Sequence, residues 1–158
     1  MSGTARVAAR ARALDHAVAK ALQPVTMPAL RVLLGLLFVW FGGLKVIDRS
    51  PVAGLVAQTL PFGNHHVVLL ALGIAEVALG GLIMSGTFVR VALPALAMHL
   101  AGTFATFVAA PHLMFNRGNP LLRTADGEFV TKNVVLIAAT LALFAHTSRT
   151  ATNRQPAS

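Results

Sequence analysis

Residues 66–84 read HVVLLALGIAEVALGGLIM, and beyond the leading His66 this run holds a single side chain built to carry charge, Glu76. A helix needs about 20 apolar residues to cross the hydrocarbon core of a bilayer, and this run comes close to that length. Three further segments do the same: 28–47 (PALRVLLGLLFVWFGGLKVI), 88–110 (FVRVALPALAMHLAGTFATFVAA) and 129–146 (FVTKNVVLIAATLALFAH). They dominate a chain of 158 residues that is 56% hydrophobic and 11% charged, with mean hydropathy +0.72, far from the mix of a soluble globular domain. The segments lack the sustained period-2 alternation of a transmembrane barrel strand and are rich in Leu and Ala. The expected fold is therefore all-α: an integral membrane four-helix bundle preceded by a basic cytoplasmic or interfacial helix.

Outside the spans the sequence divides into a basic N-terminal segment, 1–27, and a polar tail, 148–158. The N-terminal segment has no compact apolar core and no cleavage site, so a secretory signal is not expected. Its stretch RVAARARALDHAVAKAL, alanine-rich with spaced Arg and Lys, predicts an amphipathic helix along anionic headgroups. Four spans put both ends on one side, with Arg6, Arg10, Arg12, Lys20, Arg90, Arg149 and Arg154. The other side receives Lys45, Arg49, Arg117, Arg123 and Lys132. This bias predicts a multi-pass protein with both termini in the cytoplasm. The net charge of +8 then reports topology and attraction to lipid. A nucleic-acid partner is not expected, because there is no soluble basic face with aromatics.

Helical phase says where Glu76 should point. Residues three and four apart share a face, so Glu76 lines up with Gly73 and Gly80, where small side chains admit a neighbouring helix. A bare charge in hydrocarbon costs several kcal/mol, about 3 on insertion scales, so Glu76 should face protein and be paired or protonated. Two partners are within expected reach. His99 lies at mid-depth in the third span on a stripe with Ala95, Gly102 and Thr106, and Lys45 ends the first span on a stripe with Gly35, Phe38 and Gly42. The alanines 97, 101, 105 and 109 predict a close-packing ladder, and Pro94 predicts a bend.

The chain has no cysteine, which removes disulfides, thiol relays and iron–sulfur ligation. Redox chemistry would fall to another subunit, to a quinone, or to a haem or metal held by His and carboxylates. The last is not expected: His65, His66 and His112 should gather at the outer surface, but no two histidines stand at i and i+4. In the outer loops, 47–64 predicts a short amphipathic helix with Val52, Leu55, Val56 and Leu60 on one face, lying along the membrane interface. In 111–133, Asp126 and Glu128 are expected to offset Arg117, Arg123 and Lys132, and the loop could dock an extracytoplasmic partner. No nucleophile triad, P-loop or dinucleotide fingerprint is present.

Several of these residues together resemble a known family. Arg31, Gly35, Trp40, Gly42 and Lys45 in RVLLGLLFVWFGGLKV, Glu76 and Gly80 in GIAEVALGGLIMSGTFVR with Arg90 after it, and the segment GEFVTKNVVLIAATLAL resemble the DoxX-like membrane proteins. The similarity is strongest to the YkgB/RclC-type branch, and the matching region is 28–147. In the last segment Asn133 stands where that family commonly has an acid. The resemblance implies a four-helix membrane protein associated with thiosulfate:quinone oxidoreduction, oxidative-stress oxidoreductase complexes or reactive-chlorine resistance. It makes Trp40 and Arg31 the expected cofactor contacts.

Three functional expectations follow. The first is a small membrane subunit of an oxidoreductase or stress-defence system, with Glu76, Lys45 and His99 as the proton-handling site beside a quinone or a partner redox protein. The second is a non-catalytic anchoring subunit of a larger complex or a homo-oligomer, in which the same residues only hold helices together. A small-solute transporter is the third, disfavoured by the scarcity of polar residues for an aqueous path.

Overall fold

In the computed structural model, residues 3–59, 64–116, 119 and 122–152 are described. They form seven helices: α1 (Gly3–Val46), α2 (Ala53–Thr59), α3 (His65–Ser85), α4 (Val89–Thr103), α5 (Thr106–Ala109), α6 (Pro111–Met114) and α7 (Ala125–Thr152). Among the described residues there is no strand, only an isolated bridge between Phe115 and Arg123. Four stretches are long and apolar enough to cross a membrane: Arg10–Val46, His65–Ser85, Val89–Ala109 and Ala125–Arg149. Each contains one of the four predicted spans to within a residue or two.

α1 packs along α3 and α4 along α7, while contacts from α3 to α4 and from α1 to α7 close the ring. The α1–α3 pair is the tightest because its glycines interlock. A Cβ on Gly42 would lie 2.6 Å from the Gly73 carbonyl oxygen, and one on Gly80 would lie 2.6 Å from that of Gly35. Only hydrogen atoms fit there, so the two backbones touch at two places seven residues apart on each helix. The stripes that the sequence aligned, Gly35–Phe38–Gly42–Lys45 and Gly73–Glu76–Gly80, are buried throughout. α3 begins at Asn64, whose side chain accepts from the His66 N–H at 3.0 Å. It ends at Gly86, where φ of 77° is a left-handed conformation that glycine takes without Cβ strain.

Outward faces carry large apolar side chains, including Leu33, Trp40, Ile74, Val91, Met98 and Val135. On helices of this length, such faces suit a bilayer and not water. Inside, one apolar cluster joins Leu34, Phe38, Ile83, Leu93, Leu96, Leu100 and Leu143. A second joins Val52, Leu55, Met114 and Val130, with Phe104, Phe107 and Phe129 packed against it.

Four details differ from the sequence reading. α1 does not stop near residue 27: it is one helix of 44 residues through Pro24 and Pro28, so the basic segment continues the first span. The alanine ladder of the third span mostly faces outward, with Ala101, Ala105 and Ala109 exposed. The buried face is Val89, Ala92, Leu93, Leu96 and Leu100, because bulkier side chains fill the space toward α7. The third span is interrupted after Thr103, where Phe104 and Ala105 donate to the carbonyls three residues back, at 3.1 Å each, a 3₁₀-like tightening. Thr103 and Thr106 bond to backbone carbonyls in this same turn. Lastly, neither Asp126 nor Glu128 pairs with a base among the described residues. They occupy the first turn of α7, where a carboxylate complements the helix dipole, and Arg123 instead donates to Thr131 and lies over the Phe107 ring. Leu60 and Arg117 lie outside the described residues.

Candidate functional site

The interlocked glycines bring α1 and α3 so close that the Lys45 and Glu76 side chains meet between them. Lys45 Nζ donates to Glu76 Oε2 at 2.5 Å. From α4, His99 Nε2 lies 2.8 Å from the other oxygen, Oε1. With Glu76 ionised, His99 must donate here, which fixes its proton on Nε2. Glu76 is 5% exposed and Lys45 9%. Three helices thus each contribute one ionisable group to a chain of hydrogen bonds in which an ammonium balances a carboxylate, as burial of either charge demands.

This cluster forms one wall of a cavity of about 850 Å³, well inside the range of small-molecule sites, about 300–1,000 Å³. It lies between the two apolar clusters. Leu37, Phe38 and Phe41 of α1, Leu72 of α3, Leu100 of α4 and Phe129, Val130 and Leu136 of α7 supply its apolar walls, and Val52, Leu55 and Val56 roof one end. The Phe41 and Phe129 rings meet edge to face at 5.6 Å, joining α1 to α7 across the wall. The predicted amphipathic helix of the 47–64 loop is therefore α2, with Leu55 buried against protein.

A second polar pair stands in the same cavity. Asn133 of α7, 6% exposed, donates from Nδ2 to Thr103 Oγ1 at 2.7 Å. Among the described residues neither Asn133 Oδ1 nor His99 Nδ1 has a hydrogen-bond partner, and neither is sealed in the interior. Lys45 keeps further N–H groups beyond the one given to Glu76. Donors and acceptors are thus left free around an apolar chamber, which suits a mostly apolar ligand with a hydrogen-bonding head.

Three of the five residues singled out in the sequence, Glu76, Lys45 and His99, come together here. The other two do not. Trp40 is 66% exposed on the outer face of α1, next in sequence to the cavity-lining Phe41 but pointing away. Arg31 lies far from the cavity, near the start of the apolar part of α1, where its guanidinium packs on Gly86: a Cβ there would be 2.9 Å from Arg31 Nη1, and its buried Nε lacks a hydrogen-bond partner. Sequence reasoning missed the Thr103–Asn133 pair and the α2 roof. Asn133 gave a signal, being an amide in an apolar span, but its partner depends on the packing of α4 on α7. His65, His66 and His112 are exposed, and among the described residues no three His, Asp or Glu side chains gather in a group that could hold a metal ion. No protein-family model, curated protein or solved structure matches the chain.

Proposed function

We propose that this chain is a four-helix integral protein of the bacterial inner membrane, DoxX-like in its motifs, with both termini in the cytoplasm. Its role in this reading is that of a small membrane subunit of an oxidoreductase or oxidative-stress defence system that works on a quinone. The observation that carries the reading is the apolar cavity with Lys45, Glu76 and His99 set in its wall.

The residues present fit a quinone. Phenylalanine and leucine side chains can flank an apolar ring, and Lys45 N–H groups can donate to a ring carbonyl. A quinone takes up two electrons, supplied by a partner redox protein, and two protons on its oxygens as it becomes the quinol. This chain's contribution is to the protons. A proton arriving on Glu76 neutralises the carboxylate and loosens the ion pair, which frees the Lys45 ammonium to donate into the cavity. His99, bonded to Glu76 through Nε2 and open to the cavity at Nδ1, can relay that proton once its own hydrogen has moved to Nδ1: Nε2 then takes the proton from Glu76 as Nδ1 releases one into the cavity.

One observation favours a second reading. Both Glu76 oxygens are already satisfied, so the triad is complete without a ligand and could serve only to anchor α1, α3 and α4 in a larger complex. Glu76→Gln separates the two, because the amide keeps the size and one hydrogen bond but cannot carry the proton. In mild detergent, solvent extraction of purified wild-type protein is expected to release a quinone, identified by chromatography. Membranes carrying the variant are expected to keep the folded protein and lose its quinone-dependent electron transfer. A quinone-free wild type that an azidoquinone photolabel also fails to mark would overturn the proposal, and a fully active variant would favour the anchor.

A further inference from the structure

The cavity has walls that are also outer surface. Met98 is 75% exposed and Val135 70%, and Gly102 and Ala105 are exposed as well, yet all four line the chamber that holds Glu76 and His99. A side chain in contact with both the cavity and the exterior is a rim. These residues lie within the stretches Val89–Ala109 and Ala125–Arg149 that are long and apolar enough to cross a membrane. The opening is thus at the depth of the hydrocarbon and not at a water-facing end. A Cβ on Gly102 would meet nothing within 4 Å, so the rim is unfilled at this position. At the aqueous end, by contrast, Val52, Leu55 and Val56 of α2 and its flank roof the cavity with apolar side chains, beside Thr59 and Lys132.

From this geometry we infer that the cavity is filled sideways from the bilayer, through the rim formed by Met98, Gly102, Ala105 and Val135. The ligand lies with its hydrogen-bonding head toward Lys45, His99 and Asn133 and its apolar tail trailing out between α4 and α7 into lipid. The inference rests on the quinone reading and sharpens it: the preferred class is a tail-bearing, membrane-dissolved quinone over a water-soluble one. Partition into lipid would also concentrate such a ligand at the rim, while the apolar contacts made by the tail add to affinity.

The rim can be narrowed without disturbing the interior, since Gly102 has open space above it and Val135 faces outward. The double variant Gly102→Trp/Val135→Trp is therefore compared with wild type in nanodiscs, using two azidoquinone photolabels with the same head, one with a decyl tail and one with none. Narrowing the rim is expected to raise the half-saturating concentration of the tailed label by about tenfold or more, and that of the tailless label by no more than about twofold. Unchanged labelling by the tailed probe in the double variant would overturn lateral entry while leaving the quinone reading standing. Failure of both labels on wild type would overturn the quinone reading itself. A melting temperature equal to that of wild type shows that the variant is folded, and Ala105→Trp alone, at the same rim, provides a milder repeat with the same direction of change.

Discussion

A lysine and a glutamate held 2.5 Å apart out of water stabilise each other far less than the loss of either would destabilise the fold. Removing one partner of a buried pair costs about 3–5 kcal/mol, because the other is stranded, whereas replacing both by apolar groups is often neutral. Lys45→Met should accordingly lower stability by about 3 kcal/mol, softened by the bond that His99 still makes to Glu76. Adding Glu76→Leu should restore most of that loss. The two single variants and the double, followed by thermal unfolding in one detergent, form the cycle that checks this. In the quinone reading the restored double variant is still empty of quinone, so stability and binding part company. If the double variant is no more stable than Lys45→Met alone, the pair is not the electrostatic unit described here, and the site needs another account.

At the scale of elements, the neighbours Gly42 and Gly43 show how much depends on phase. Gly42 is buried against Gly73, while a Cβ at Gly43 would meet nothing within 4 Å. Gly42→Leu must push α3 away by the width of a side chain and should cost about 3 kcal/mol or more, above the usual range for overpacking because backbone cannot yield. The same change at Gly43 should stay within about 0.5 kcal/mol. Thermal unfolding of the two variants distinguishes them, and equal melting temperatures would mean that α1 and α3 are not in glycine contact. This interface was legible in the sequence because a period of 3.6 puts Gly73, Glu76 and Gly80 on one stripe, and a buried acid needs that stripe to face protein. The inner face of α4 was not legible. Alanines at every fourth position mark a face that can pack closely, but Ala92, Leu93, Leu96 and Leu100 bury more apolar area and settle which face turns inward. The break after Thr103 was equally hidden, since hydroxyl-to-carbonyl bonds leave no mark on hydrophobic periodicity.

For the whole molecule, the span count was readable from composition, because hydrocarbon admits few alternatives to a helix of about 20 apolar residues. The run of α1 straight through residue 27 was not, since Pro24 and Pro28 look like helix breakers until a long helix absorbs them by giving up individual backbone bonds. That continuity sharpens the orientation question. At about 1.5 Å per residue the 44 residues of α1 reach roughly 66 Å, about twice the hydrocarbon thickness, so a basic rod bearing Arg10, Arg12 and Lys20 leaves the membrane at one end. The α3–α4 turn, followed by Arg90 in the first turn of α4, lies at that same end, since Gly86 packs against Arg31. Clustered Lys and Arg are retained on the cytoplasmic side, so that end should be inside and the α2 roof outside. The chain has no cysteine, which makes the test direct. Arg49→Cys should react with a membrane-impermeant maleimide on intact cells, and Asp15→Cys only after permeabilisation. Both positions are exposed, so a reversed pattern would report inverted topology and not burial, and it would move the α2 side of the cavity to the cytoplasm.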